Sequence, residues 1–148
     1  MKVIVLTGLV SIEKAQLTRD LATYFTDEKS VVVIDNIARL ALEDSPETVT
    51  VKRYSEDISK KLGAILQENP SDIAIVALSE QAHPEKLFIE LDDLQEQRDD
   101  WQIYTLALID TRTCDCFPNV REALELYADI SIMMPYSLDE VLTYVNHA

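Results

Sequence analysis

A chain of 148 residues, 47% of them hydrophobic, is sized for one domain with its own core, expected to span residues 1–148. Its 27 acidic against 13 basic residues give a formal net charge of −14; an overall repulsion from phosphate backbones and anionic bilayers excludes nucleic acid and membrane as expected partners. The cysteines Cys114 and Cys116 stand one residue apart, which offers no disulfide framework and points to a reducing, cytoplasmic setting.

The chain opens on Val3-Ile4-Val5-Leu6, an apolar run of strand length that soon passes into Glu13 and Lys14, so it reads as neither a leader peptide nor a membrane span. An amphipathic helix is expected from Lys14 to Phe25, then a strand at Val31-Val32-Val33-Ile34. Between Asn36 and Arg53 the pattern is mixed, with a helical turn over Ala38 to Glu43 and a short edge strand over Thr48 to Lys52 as the best readings. A helix over Ser55 to Glu68 follows, started by Ser55 before Glu56-Asp57, and then a strand at Ile73-Ala74-Ile75-Val76. The second half predicts a helix from Pro84 to Gln97, a strand over Ile103 to Ile109, a helix from Pro118 to Ala128, a strand at Ile130-Ser131-Ile132-Met133 and a helix from Ser137 to Val145. Ser137 and Glu140 have capping-box spacing. Apolar runs that are continuous rather than alternating belong to strands buried on both faces. The expected fold is therefore α/β, a three-layer, doubly wound, mainly parallel sheet.

In such folds the turn after the first strand is the usual ligand site. Here it reads Gly8-Leu9-Val10-Ser11-Ile12-Glu13-Lys14-Ala15. Against the phosphate-loop pattern it keeps the first glycine and the lysine, which makes the fold expectation P-loop NTPase-like and makes Gly8 and Lys14 the candidate nucleotide-binding residues. Glu13 replaces the second glycine and Ala15 the hydroxyl residue that holds Mg²⁺. A carboxylate facing phosphate at about 4 Å costs on the order of 4 kcal/mol at an effective dielectric near 20. Two readings stand: an ordinary strand-to-helix turn in which Lys14 is a solvated side chain, or residual anion binding by Lys14 and the helix N-terminus.

Several segments resemble the nucleotide-binding domain of CobW-type GTPases, the metallochaperone group that includes the urease and hydrogenase nickel-insertion GTPases. They are Val3 to Gly8, Val33-Ile34-Asp35-Asn36, the run from Ile75 to Pro84 at the Walker B strand, Leu108 to Thr113, and Tyr127-Ala128-Asp129-Ile130. The departures fall on the chemistry. Val51-Lys52-Arg53-Tyr54 stands where the resemblance implies a Cys-x-Cys-Cys metal motif, Ala77 stands for the Walker B acid, and Met134-Pro135-Tyr136-Ser137 replaces the guanine-reading motif. The resemblance thus implies the fold, in a degenerate and truncated member, without the family's GTP hydrolysis.

Cys114-Asp115-Cys116, with His83 in the preceding strand-end loop, is a candidate soft-metal site, against a plain reading of free thiols in a loop. Asp35, Asp110 and Asp115 would also suit a phospho-acceptor receiver, but Thr7-Gly8 and Met134-Pro135 stand where a receiver needs acids and a lysine. Trp101 reads as core before interface anchor, and the acids from Glu90 to Asp100 read as the solvated side of a helix buried through Leu87, Phe88, Leu91 and Leu94. The expected function is a non-catalytic GTPase-like domain, no cofactor bound, acting through a protein partner or a second copy, with the final helix, through Leu138, Val141, Leu142 and Val145, closing one edge of the domain and contributing to a dimer contact. The alternative is weak nucleotide or Zn²⁺ binding through Lys14 or Cys114 and Cys116.

Overall fold

The computed structural model describes residues 1–8, 11–27, 29–37, 49–79, 84–110 and 118–146. Along them run β1 (Lys2–Gly8), α1 (Ser11–Phe25), β2 (Val31–Asp35), β3 (Val49–Arg53), α2 (Leu62–Glu68), β4 (Ile73–Ala77), α3 (Pro84–Gln97), β5 (Gln102–Ile109), α4 (Pro118–Tyr127), β6 (Ile130–Met133) and α5 (Leu138–Val145). The strands form one sheet in the order β3-β2-β4-β1-β5-β6, parallel at every pairing. The expected α/β parallel sheet is the fold that forms, and the short edge strand expected over Thr48 to Lys52 is its β3, found at Val49–Arg53. The helical turn expected over Ala38 to Glu43 lies outside the described residues.

The continuous apolar runs have the physical cause expected of them. Every residue of β2 and β4 is buried, because one face of the sheet packs on α1 and α5 and the other on α2 and α3. α4 lies beside α3, where Phe88 stacks on Tyr127 with ring centroids 5.4 Å apart. Trp101 is buried, with the Arg98 guanidinium 4.3 Å over its ring. The acidic side of α3 meets solvent while Leu87, Phe88, Leu91 and Leu94 enter the core. α5 is capped by Ser137, whose Oγ accepts the Glu140 N–H at 3.5 Å, and it buries Val141 and Val145 in the chain's own core, leaving Leu138 and Leu142 partly covered. No helix of the described residues is long and apolar enough to cross a membrane.

One element starts late. The helix expected from Ser55 begins only at Leu62, because Asp57 Oδ1 captures the Ser59 N–H at 3.0 Å and the Ser59 hydroxyl at 2.6 Å. That side-chain turn competes with the helical ladder and keeps residues 55–61 out of the helix.

Candidate functional site

β1 lies between β4 and β5, and α1, which follows β1, packs on the opposite face from α3, which follows β4. The divergence opens at the carboxyl ends of the central strands, the place where doubly wound sheets bind ligands. Gly8 ends β1 there, paired with Leu108, at φ +127°. A Cβ at this position would lie 2.3 Å from the Leu108 carbonyl oxygen. The glycine retained from the phosphate-loop pattern is thus required by the approach of β1 to β5, whatever the loop binds.

Lys14 is fully buried. Its Nζ donates to the Gly8 carbonyl at 2.6 Å and to the Leu78 carbonyl at 2.7 Å, tying the end of β1 to the end of β4. This corrects the expectation of a solvated side chain. The physical reason is helical phase: Lys14 stands on the same stripe as Leu17, Thr18, Leu21 and Phe25, all buried against the sheet. Burying Leu17 and Leu21 each contributes about 2 kcal/mol and carries the lysine in with them, where charge-assisted bonds to carbonyls offset its desolvation. Ala15, in the place of the Mg²⁺-holding hydroxyl residue, is buried as well.

Asn36 makes a second tie that the sequence reading did not single out. Buried after β2, it donates through Nδ2 to the carbonyls of Tyr54 at 3.0 Å and Glu56 at 2.8 Å, and its Oδ1 accepts the Ser79 N–H at 3.1 Å. Its own N–H reaches the Ala77 carbonyl at 2.9 Å. The rims of β2, β3 and β4 are thereby joined through one amide. Asp35, also buried, accepts the Ile37 N–H at 2.9 Å and pairs with Arg53 at 3.4 Å. Burial holds its carboxyl above the usual carboxylate range, opposed by the Ile37 hydrogen bond and by Arg53. Among the described residues no buried side-chain nitrogen or oxygen lacks a hydrogen-bond partner.

Beside this rim an open depression of about 600 Å³ is lined by Glu13 and Asp20 of α1, by Asp110 after β5, and by Met134, Pro135 and Tyr136 after β6. Tyr136 closes one side by donating to Asp20 Oδ2 at 2.6 Å, and its burial together with that bond raises the phenol above its ordinary range. No lysine or arginine is among the described lining residues. A nucleoside phosphate entering here would meet carboxylates rather than cations.

The candidate metal ligands Cys114, Cys116 and His83, and Asp115 with them, lie outside the described residues. Among those described, no group of His, Cys, Asp and Glu could hold a metal ion.

No protein-family model matches the sequence, and no curated protein is significantly similar to it. Solved structures are similar. The cell division protein FtsY from Thermotoga maritima superposes with a TM-score of 0.61 at 20% identity, over 88% of this chain and 51% of that one. The Zn(II)-bound YjiA GTPase from E. coli gives 0.58 at 15% identity, over 98% of this chain and 54% of that one. The signal recognition particle 54 kDa protein from Aeropyrum pernix K1, in complex with GDP, gives 0.55 at 13% identity, over 88% of this chain and 34% of that one. The chain therefore spans about half the length of the FtsY structure it matches. With the parallel sheet, its strand order and the glycine and lysine around α1, these likenesses give the chain the P-loop GTPase fold.

Proposed function

We propose that the chain is a GTPase-like domain of CobW type that does not turn over nucleotide and acts through protein contacts. The observation that carries this reading is the commitment of Lys14, the one phosphate-loop side chain retained, to the Gly8 and Leu78 carbonyls within the fold. Glu13 beside it adds repulsion, and Ala15 offers no oxygen to Mg²⁺. The CobW assignment rests on the order of the matching segments and on the likeness to YjiA across 98% of the chain. Action through protein contacts is supported by similar structures that include a signal recognition particle protein and its receptor. Calorimetric titration with GTP and with ATP, with and without Mg²⁺, tests the reading. No heat of binding at micromolar nucleotide is expected, and micromolar affinity would overturn it.

A second reading is favoured by one observation, the zinc in the YjiA structure. Under it, Cys114 and Cys116, with His83, hold Zn²⁺. Binding of Zn²⁺ by the reduced protein that disappears in the Cys114→Ser, Cys116→Ser variant would establish this role; binding that persists in the variant, or none, removes it.

A further inference from the structure

The two edges of the sheet meet solvent differently. β3 presents exposed Lys52 and Arg53, the charge by which edge strands discourage further pairing. β6 presents Ile130-Ser131-Ile132-Met133, with no charge and no proline. Exposed Leu126 (73%) and Tyr127 (48%) close α4 two residues short of it, and Met133 at its end is 44% exposed. In a parallel ladder, alternate residues bond to a given neighbour. The Met134 N–H donates to the Ile109 carbonyl at 2.9 Å, so Ile130 and Ile132 are in phase toward β5. The main-chain groups of Ser131 and Met133 are directed to the open side.

The charge flanking β6 in the sequence is predominantly acidic. From Pro118 to Asn146 the acids are Glu122, Glu125, Asp129, Asp139 and Glu140, and Arg121 is the only basic residue. Arg121 is itself engaged by Glu125 at 2.9 Å. We propose that β6 is a docking edge that accepts an extended apolar segment of a basic partner protein as a further parallel or antiparallel strand. Main-chain bonds to Ser131 and Met133 supply the pairing, Leu126, Tyr127 and Met133 supply the apolar contact, and the surrounding acids select lysine or arginine flanks. A second copy of this chain would bring the same acids to the contact and a further net charge of −14, which disfavours self-association. The inference rests on the protein-contact reading above but uses none of the residues at the nucleotide rim.

The probe is the peptide acetyl-Lys-Lys-Val-Thr-Val-Thr-Val-Lys-Lys-amide, titrated into the isotopically labelled full chain and followed by amide NMR. Saturable shifts are expected at Ser131 and Met133, with affinity falling about tenfold in Ser131→Pro, which deletes an outward N–H, and in Met133→Lys, which guards the edge. An otherwise identical peptide with glutamate flanks should bind about tenfold more weakly. Absence of shifts, shifts confined to Val49–Arg53, or equal binding of the two peptides would overturn the proposal. So would a concentration-dependent dimer of the protein that Met133→Lys abolishes. Met133 is exposed, so this variant is expected to keep the wild-type circular dichroism spectrum and unfolding midpoint. Failure of the peptide to bind leaves the proposed lack of nucleotide turnover standing, and nucleotide binding would overturn that part of the proposal without touching this edge.

Discussion

The two ends of the sheet use polar side chains in opposite ways. At the amino ends, Ser30 and Asp72 are exposed, the Asp72 carboxylate accepting the Ser30 N–H at 3.1 Å and its hydroxyl at 3.2 Å. Water can replace each of those bonds. At the carboxyl ends, Lys14, Asp35 and Asn36 are buried and bonded to the chain's own main-chain groups. Removing any of them orphans a group that water reaches poorly, which costs far more than the net value of the bond. The end of the fold that ordinarily handles ligands has here become the better-fastened end.

The largest way to break this contrast is Gly8→Ala. The left-handed backbone and the approach to Leu108 O leave a methyl group no place, so a loss on the order of 4 kcal/mol is expected in urea unfolding. A loss below about 1 kcal/mol would mean that the β1 end relaxes freely and is not a rigid part of the rim. Lys14→Met comes next. It keeps the aliphatic stem in the stripe but leaves the Gly8 and Leu78 carbonyls without the ammonium, for an expected loss of about 3 kcal/mol. Unchanged stability together with a lost nucleotide affinity would assign the lysine to phosphate and end the structural account. Asn36→Leu should cost about 2 kcal/mol, with faster amide exchange at Ser79, whose N–H loses its acceptor.

What the sequence made legible follows from the length over which each signal repeats. Val31 to Ile34 and Ile73 to Val76 are apolar at every position because helices cover both faces, so their place in the sheet could be read directly. Lys14 was misread as solvated although its helical phase pointed inward: it sits three, four, seven and eleven residues before Leu17, Thr18, Leu21 and Phe25, a pattern that outweighs the usual preference of lysine for solvent. Asn36 had no such pattern. Its partners Tyr54, Glu56 and Ser79 lie on other elements, and only the folded rim brings them to one amide. The late start of α2 was hidden for a related reason, since the Asp57 side chain overrides a local helix pattern through a two-residue contact.

The smallest effects sharpen the contrast by sign. Asp35 has its folded acid constant raised, chiefly by burial, so the folded state binds its proton more readily than the unfolded chain and the cost of the buried charge is complete above the folded value. That cost fades as pH falls through the raised folded value toward the ordinary carboxylate value. Asp72 has its folded constant lowered, chiefly by the Ser30 N–H; its contribution is present above the ordinary value and is lost as pH falls through the lowered one. Urea midpoints from pH 7 to about pH 3 should therefore diverge between two conservative variants. Asp35→Asn should have its most favourable effect relative to the parent at neutral pH, shrinking in acid, whereas Asp72→Asn should show a small deficit at neutral pH that vanishes in acid. If both variants followed the same course, the carboxyl-end acid would be as solvated as the amino-end one, and the fastening of that rim would rest on Lys14 and Asn36 alone.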